Sequence, residues 1–388
     1  MDLKNFTIAY AYKSKKELKS ALFVYRIITR PFLVRFGKLM LDTALTLRIP
    51  IKPFTGFMFR HFCGGEKLDE VINISDCIEK FNVKVIPDFS KEGASEESAY
   101  EELISEVKKV IDISAENPNI PFAVFKPTGL IQAEYLKQHV PIDHSEIIAY
   151  RSRLDEIFGY AAFKKTKVFI DAEDYWYQDR IDEMVLDFMR IYNKNTPVVF
   201  TTLQMYRHDR LDYLKTLTAL ARREGFKLGI KFVRGAYMEK ERKRALEGSY
   251  PDPIHPNKEI TDKAFDDAIT YSVENIDTID VFCGTHNEKS ILNLVNEIEK
   301  QQIAKNDPRI WFSQLYGMRD NQTFNLAAEG YNVAKYLPYG PIREVMPYLV
   351  RRAEENSSMG SQAGEEIRML KLALQFRNPK NKTFHQVP

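Results

Sequence analysis

The stretch YLPYGPIREVMPYLVRRAEENSSM, residues 336–359, predicts one strand–turn–helix unit. A short apolar strand pattern leads to Gly340, and Pro341 fits the first helical turn, whose backbone amides lack intrahelical acceptors. At about 100° per residue, one face of the helix collects polar side chains and the adjoining flank collects apolar ones. The face contains Tyr348, Arg351, Arg352 and Glu355, and the flank contains Val345, Met346, Leu349 and Ala353. Paired guanidinium groups beside a tyrosine suit a small carboxylate, although a solvated helix face has the same pattern.

The same alternation of a short apolar run with a longer amphipathic segment recurs along the chain. Continuous apolar runs separated by helices indicate parallel strands that are buried on both faces. Eight such units predict a distorted (βα)8 barrel of the TIM type, and an open doubly wound sheet is disfavoured because GxGxxG and GxxxxGK[ST] are absent. The runs are VKVIPD (83–88), FAVFK (122–126), KVFID (167–171), PVVFTTLQ (197–204), LGIKFVRG (228–235), IDVFCGTH (279–286), RIWFSQLYG (309–317) and YNVAKYLPYG (331–340).

Three regions follow from this pattern. Residues 1–80 have apolar residues at helical spacing and predict a helical arm packed on the barrel. Residues 81–360 form the barrel, and residues 361–388 a carboxy-terminal helix and tail. The basic and aromatic residues of the arm would also suit a membrane surface, but packing on the barrel is the favoured interpretation.

The composition excludes several classes of protein. The 56 basic and 54 acidic residues give a net charge of +2, so no nucleic-acid partner is expected. The three cysteines form no CxxC pair, which favours a reducing compartment over a disulfide framework. Histidines show neither HxH nor HExxH spacing, so no metal site is expected. No apolar run reaches the roughly 20 residues of a membrane span, and a cytoplasmic location is the expectation.

Each predicted strand ends in a polar or charged residue. Active sites of (βα)8 barrels lie at the carboxy-terminal ends of the strands, so these side chains should meet at one mouth. In chain order they are Asp88, Lys126, Asp171, Gln204, Arg234, Thr285 with His286, Gln314 and Tyr336. The helix pattern with the paired arginines begins at the same mouth. The residues alone therefore predict a site for an anionic small substrate and a bulky cofactor.

Two other classes of function are compatible with a barrel. A Schiff-base aldolase would use Lys126 or Lys231 near the strand ends, but it leaves the paired arginines and the amides without a role. A degenerate barrel that serves as a binding scaffold would lose its polar strand ends first, and here all eight are occupied. An enzyme with a large polar ligand is the favoured interpretation.

Four separated segments resemble the signature stretches of the proline dehydrogenase family, in the family's order and in register from about residue 83 to 360. The resemblance implies a distorted (βα)8 barrel that holds FAD non-covalently and oxidises L-proline to Δ1-pyrroline-5-carboxylate, with quinone as electron acceptor. It also implies pyrroline-5-carboxylate dehydrogenase as a pathway partner and, with quinone, peripheral contact with the inner membrane. The segments are KFVRGAYMEKER (231–242), GTHNEKS (284–290), FSQLYGMRD (312–320) and YLPYGPIREVMPYLVRRAEEN (336–356).

The resemblance also assigns roles to residues. It implies that Arg351 and Arg352 bind the proline carboxylate with Lys126 as a third cation, and that three tyrosines enclose the pyrrolidine ring. Those tyrosines are Tyr237, Tyr336 and Tyr348, and Asp171 is implied to organise the site near the flavin. The implied FAD contacts are Asp171, Gln204, Lys231, Arg234, Gly235, Ala236, Tyr237, Thr285, His286, Asn287, Gln314 and Glu355.

Three positions bear on how closely the family pattern is followed. Met238 stands where some relatives have a tryptophan, and Lys231 stands where another branch has an arginine, which keeps the cation but loses the planar fork. Relatives that prefer hydroxyproline tend to lose the tyrosine found here as Tyr336. Its presence favours proline as the substrate.

Overall fold

The computed structural model describes residues 1–47, 51–90, 96–138, 140–358 and 360–377. In this part of the chain, eight parallel strands form one sheet in the order β1-β8-β7-β6-β5-β4-β3-β2. They are β1 Val83–Phe89, β2 Phe122–Phe125, β3 Lys167–Ile170, β4 Val199–Gln204, β5 Leu228–Val233, β6 Ile279–Gly284, β7 Ile310–Leu315 and β8 Val333–Tyr339. All eight predicted apolar runs correspond to these strands.

The sheet closes almost completely. β1 pairs with β8, where Ile86 lies opposite Tyr336. Next to β2, the Val85 N–H donates to the carbonyl of Asn119, 2.9 Å away, just before that strand begins. The predicted (βα)8 barrel with an amino-terminal helical arm is therefore confirmed.

The helices surround the sheet or precede it. The arm consists of the first five helices, and most later helices follow a strand. They are α1 Phe6–Ala9, α2 Lys15–Ile28, α3 Pro31–Thr46, α4 Lys52–Phe62, α5 Leu68–Glu79, α6 Glu97–Glu116, α7 Ala133–Lys137, α8 Ser145–Lys164, α9 Tyr175–Tyr192, α10 Arg210–Glu224, α11 Met238–Gly248, α12 Lys258–Glu274, α13 Glu288–Lys300, α14 Asp320–Ala328, α15 Ile342–Ser358 and α16 Gly360–Phe376.

Aromatic rings fill the inside of the barrel. Phe122 and Phe169 stack with ring centroids 4.5 Å apart, and Phe282 lies edge-on to Phe169 at 4.6 Å. Such rings bury a large apolar area and hold one another in a defined arrangement. The aromatic rings lie directly beneath the groups at the mouth, where the ammonium of Lys231 is 5.5 Å from the Phe169 centroid.

A second core lies outside the barrel and includes α15. Val345, Met346 and Leu349 of α15 are buried with side chains of the arm and of α16, among them Tyr25 and Met369. The helix after strand eight therefore packs in this second core. Its predicted apolar flank is buried, as expected. The predicted domain boundaries at residues 80 and 360 stay predictions.

Candidate active site

The centre of the barrel mouth contains a carboxylate held by a lysine and a tyrosine. Asp171 follows β3, and its Oδ1 accepts a hydrogen bond from the Lys231 ammonium, 2.6 Å away. Its Oδ2 accepts a hydrogen bond from the Tyr336 hydroxyl at 2.7 Å. The Lys231 ammonium also lies 4.1 Å from the centroid of the Tyr336 ring. Three strands thus fix one compact group, because buried charge-assisted hydrogen bonds are strong and directional.

A second lysine–carboxylate pair lies beside it. Lys126 donates to Asp88 at 3.2 Å, and both side chains are buried. Burial raises the pKa of Asp88, Lys126 offsets this only in part, and the charge of Asp171 raises it further. Burial acts on Asp171 in the same sense, but Lys231 and Lys126 outweigh it and lower the pKa of Asp171 below its usual value. Asp171 is therefore the stable anion of the two.

Tyr336 is a permanent hydrogen-bond donor in this arrangement. Burial raises its pKa well above the usual value, and the neighbouring charges of Asp171 and Asp88 add to the effect. Tyr348 of α15 raises this pKa as well. The phenol consequently stays protonated and its ring stays fixed by the bond to Asp171.

Arg234 and Thr285 lie after adjacent strands and hold each other. The guanidinium donates to Asp262 at 2.7 Å, to the Thr285 hydroxyl at 2.5 Å and to the Ser290 hydroxyl at 2.9 Å. A guanidinium has five N–H donors in a fixed fork, so these bonds orient it and leave further donors for an anion. Thr285 also accepts from the backbone N–H of Asn287, whose side chain caps α13.

His286 is a neutral imidazole with a fixed orientation. Its Nε2 accepts a hydrogen bond from the backbone N–H of Leu315, 3.0 Å away, which places the ring proton on Nδ1. Burial lowers its pKa well below the usual value, and the cations Arg319 and Arg352 lower it further.

The two amide side chains hold loops at the mouth. Gln204 donates to the carbonyl of Glu173 at 2.7 Å and accepts from the Ala236 N–H at 3.2 Å. Gln314 donates to the Thr285 carbonyl at 3.2 Å and accepts from the Thr323 hydroxyl at 2.7 Å. Each amide retains one further N–H donor, so a contact with a cofactor stays a prediction for both.

Gly235 allows a close backbone approach after β5. Its φ of +136° lies in the region that favours glycine, and an added Cβ would lie 2.4 Å from the ring of Tyr206. The next residue, Ala236, is exposed, and Tyr237 is half-buried at the start of α11. The loop therefore presents backbone and small side chains at the mouth.

The remaining predicted residues belong to α15. Arg352 is buried and its guanidinium lies 5.3 Å from the centroid of the Tyr348 ring, while Arg351 is half-buried. The side chain of Glu355 lies outside the described part of the structure. The predicted residues that follow the strands thus lie at one mouth, whereas a place for Arg351 and Tyr237 in the same site stays a prediction.

Asp88 was expected at the mouth but without a role of its own, and the sequence did not predict a buried cluster around Asp320 and Lys335. Their carboxylate and ammonium are 2.9 Å apart, and both side chains are almost fully buried. A lysine inside the apolar run YNVAKYLPYG was the available signal for this cluster.

A family model for proline dehydrogenase matches residues 72–365. The chain belongs to the proline dehydrogenase family. It is therefore an oxidoreductase, in a family of flavin-dependent enzymes of proline catabolism. The match covers all eight strands and α15, and it agrees with the resemblance seen in the four segments.

Curated relatives cover most of the chain. It is 33% identical over 319 residues to the carbapenem antibiotics biosynthesis protein CarD of Pectobacterium carotovorum, covering 81% of this chain and 82% of that protein. It is 28% identical to mitochondrial proline dehydrogenase 1 of Dictyostelium discoideum, over 95% of this chain and 74% of the relative. A hydroxyproline dehydrogenase of Xenopus laevis is also 28% identical, over 95% and 88% of the two chains.

Solved structures support the fold of the family member. Proline utilization A from Bdellovibrio bacteriovorus superposes with a TM-score of 0.74 at 23% identity. The match covers 96% of this chain but 41% of that one, so the chain corresponds to about two fifths of the larger protein. Among the described helices, none has the length and apolar character needed to cross a bilayer.

Proposed function

We propose that this chain oxidises L-proline to Δ1-pyrroline-5-carboxylate by hydride transfer to FAD, with quinone as the final electron acceptor. The observation that carries the proposal is the fixed group of Asp171, Lys231 and Tyr336, because the strand of Tyr336 leads directly into the helix that carries Arg351 and Arg352. It combines an anchored tyrosine with a surplus of cations at the mouth of a barrel of this family.

The cations suit the carboxylate of proline. Arg351, Arg352 and Lys126 are its proposed ligands, and two planar guanidinium groups give directional hydrogen bonds that fix the orientation of the substrate. Like charges nearby also disfavour a positively charged amine. The bound proline is therefore held as the neutral amine, from which C5 loses a hydride and the nitrogen loses a proton to leave a C=N bond.

The tyrosines suit the pyrrolidine ring. Tyr336, Tyr348 and Tyr237 are proposed to enclose it, and Tyr336 cannot turn away without losing its 2.7 Å bond to Asp171. An additional hydroxyl on the substrate ring would crowd this fixed phenol. Proline is therefore the proposed substrate in preference to hydroxyproline.

The residues present fit a flavin dinucleotide. Arg234 has oriented donors for an anionic diphosphate, and His286 has a proton available on Nδ1. When bound, FAD supplies the two-electron acceptor for the hydride. The proposed contacts are Asp171, Gln204, Lys231, Arg234, Gly235, Ala236, Tyr237, Thr285, His286, Asn287, Gln314 and Glu355.

The proposal includes the fate of the electrons and of the product. A quinone acceptor requires peripheral contact between the protein and a membrane, with the rest of the molecule in the cytoplasm. Pyrroline-5-carboxylate dehydrogenase is the proposed pathway partner, since its substrate is the product formed here.

The proposal is tested by a visible absorption spectrum of the purified chain before and after anaerobic addition of L-proline. We expect a flavin spectrum that bleaches with L-proline and much less with hydroxyproline. No flavin after reconstitution with FAD would contradict the proposal, and trapping of the substrate by borohydride would indicate an aldolase instead. A flavin spectrum that does not change on addition of proline would support FAD as the cofactor but contradict proline as the substrate.

The carboxylate ligands are tested by the variants Arg351→Met and Arg352→Met. Loss of one charge-assisted bidentate contact costs about 2–3 kcal/mol, so we expect the apparent KM for proline to rise about 30-fold or more, with FAD still bound. Arg343→Met is the matched control, because Arg343 lies on the same helix and is exposed. An unchanged KM in both variants would remove these arginines from the site.

A further inference from the structure

Helix α3 has two apolar faces, and one of them is exposed. Val34 and Leu41 pack in the second core. On another side of the helix, Phe32, Phe36 and Leu39 are between 52% and 76% exposed. At about 100° per residue these three, together with Met40, fall within an arc of roughly 100°. We call these four residues the α3 apolar face.

This face is a cluster rather than a set of scattered residues. The rings of Phe32 and Phe36 stack with centroids 6.4 Å apart, so the side chains cover one continuous surface. Single exposed apolar residues are normal on a protein, but clustered ones mark an interaction surface. The exposure of two phenylalanines, a leucine and a methionine on one helical face therefore indicates that this face contacts a partner.

The chain around this face is strongly basic. Residues 15–40 contain seven basic residues and one acidic residue, Glu17, for a net charge of +6, while the whole chain has +2. All seven basic side chains are exposed: Lys15, Lys16, Lys19, Arg26, Arg30, Arg35 and Lys38. On α3 itself Arg35 borders the apolar face, about 40° from Leu39, and the other basic residues belong to the same segment of chain. An apolar helical face in a basic segment is the pattern of a helix that lies in the surface of an anionic bilayer.

We propose that the α3 apolar face docks on the surface of an anionic phospholipid bilayer. The apolar side chains enter the boundary between headgroups and acyl chains, and the basic side chains contact lipid phosphates. A second copy of this chain fits less well, because two segments of charge +6 would repel each other. The docking surface rests on the proposed function in so far as a quinone acceptor requires contact with a membrane. The exposure of the α3 apolar face and the charge of residues 15–40 do not depend on that reaction.

Docking here would bring the active-site helix close to the bilayer. The Lys38 ammonium of α3 lies 2.7 Å from the carboxylate of Glu354 on α15, the helix that carries Arg351 and Arg352. An apolar electron acceptor that leaves the bilayer would therefore reach the side of the protein on which α15 lies.

The test is co-sedimentation of the full chain with vesicles of phosphatidylcholine alone or with about one third phosphatidylglycerol. We expect binding to the anionic vesicles, and a loss of about 100-fold in partition coefficient for F32Q/F36Q/L39Q, from the apolar area no longer inserted. F163Q/I191Q/L246Q is the matched control, since it removes three exposed apolar side chains from other helices. The control should bind as the unmodified chain does.

The charge is tested separately with K19Q/R30Q/R35Q. Each basic residue near an anionic surface contributes roughly fivefold to binding, so we expect about a 100-fold loss on anionic vesicles and little change on neutral ones. No sedimentation of the unmodified chain, or equal loss in the control triple, would overturn the proposal. A dimer that F32Q/F36Q/L39Q converts to a monomer, without vesicle binding, would assign the face to a second copy.

Failure of this inference is separable from failure of the proposed function. Reduction of a water-soluble dye by proline needs the active site but no bilayer, so F32Q/F36Q/L39Q should keep that rate. No dye reduction by the unmodified chain would overturn the proposed function only. Dye reduction without vesicle binding would overturn the docking surface only.

Discussion

Asp171, which is half-buried, and Asp320, which is buried, are two carboxylates with the same kinds of partner in different parts of the molecule. Asp171 accepts hydrogen bonds from Lys231 and Tyr336 at 2.6 and 2.7 Å. Asp320, at the start of α14, accepts from the Tyr12 hydroxyl at 2.8 Å and lies 2.9 Å from the Lys335 ammonium. A second ammonium, that of Lys13, is 3.2 Å from it.

The difference lies in what the partners connect. Lys231 and Tyr336 both belong to barrel strands, and their group lies at the mouth. Asp320 instead joins the arm to the barrel, and the Tyr12 ring stacks on Phe324 with centroids 4.3 Å apart. The same chemistry therefore belongs to the proposed substrate site in one place and holds two parts of the chain together in the other. Location, rather than residue type, decides the role.

Asp320→Asn should give the largest effect on stability. Two buried ammonium groups would lose their anion, and breaking a buried ion pair from one side costs about 3–5 kcal/mol in the free energy of unfolding. Denaturant unfolding measures this loss, and turnover of the folded fraction should be unchanged. Asp277→Asn is the control, because its 3.0 Å pair with Arg222 is exposed and such pairs contribute about 0–1 kcal/mol. If Asp320→Asn lowers the free energy of unfolding no more than the control does, Asp320 does not stabilise the contact between the arm and the barrel.

Asp171→Asn should act mainly on catalysis. The amide cannot accept from Lys231 and Tyr336 with a full negative charge, so both partners lose their fixed positions at the reacting ring. We expect kcat for proline to fall about 100-fold, equivalent to about 2.7 kcal/mol in the activation barrier. Steady-state kinetics at saturating proline measures it. An unchanged kcat here, with a reduced kcat in Asp320→Asn, would reverse the comparison.

A pair of hydroxyl deletions sharpens the contrast. Tyr12→Phe and Tyr336→Phe each remove one hydrogen bond to a charged carboxylate, which is worth about 1.5–3 kcal/mol. In Tyr12→Phe we expect this loss in the free energy of unfolding with kcat/KM unchanged. In Tyr336→Phe we expect kcat/KM for proline to fall about tenfold, because the ring is no longer fixed. Similar kinetic losses in both variants would show that the arm also positions the substrate.

The smallest expected effect is a loss of folding stability at acidic pH, which comes from a histidine in the arm. Burial lowers the pKa of His61 from 6.5 to about 3, and the charge of Lys13 adds to this. Between these values the unfolded chain binds the proton more readily than the folded one, so stability is full above pH 6.5 and falls as the pH decreases. We expect a loss of up to about 1 kcal/mol from His61 between pH 6.5 and 5.5, allowing for partial exposure.

His61→Gln is the variant that isolates this contribution. Unfolding curves at several pH values from 7 to 5 should show a weaker pH dependence in the variant than in the unmodified chain. His286 has a lowered pKa as well and acts in the same direction, so some dependence should remain. An identical slope in both proteins would mean that His61 does not resist protonation in the folded state.

The two carboxylates also show how far the sequence could predict the structure. Asp171 follows an apolar run. The alternation of such runs with helices predicted the barrel, and the place of Asp171 at the end of its run predicted that this residue lies at the mouth. Asp320 and Lys335 lie within recognised segments, but their partner Lys13 lies in the arm, far away in the chain. Local patterns cannot show which distant segments meet, because that contact depends on how the arm packs. The sequence likewise predicted the buried flank of α15 without predicting that it joins the arm and α16.

The core shared by α15, the arm and α16 implies an order in which the parts of the chain fold during synthesis. Val345 and Leu349 lie between a segment that leaves the ribosome before the barrel and one that leaves after it. Strands β1 to β8 can pair as soon as they emerge, whereas α15 must wait for α16 before its own apolar flank is covered. Until then, arm residues such as Leu18 and Ile28 lack part of the core that buries them in the folded chain. The helix with the paired arginines therefore packs late, and a nascent chain can contain a paired barrel before its proposed carboxylate ligands are in place.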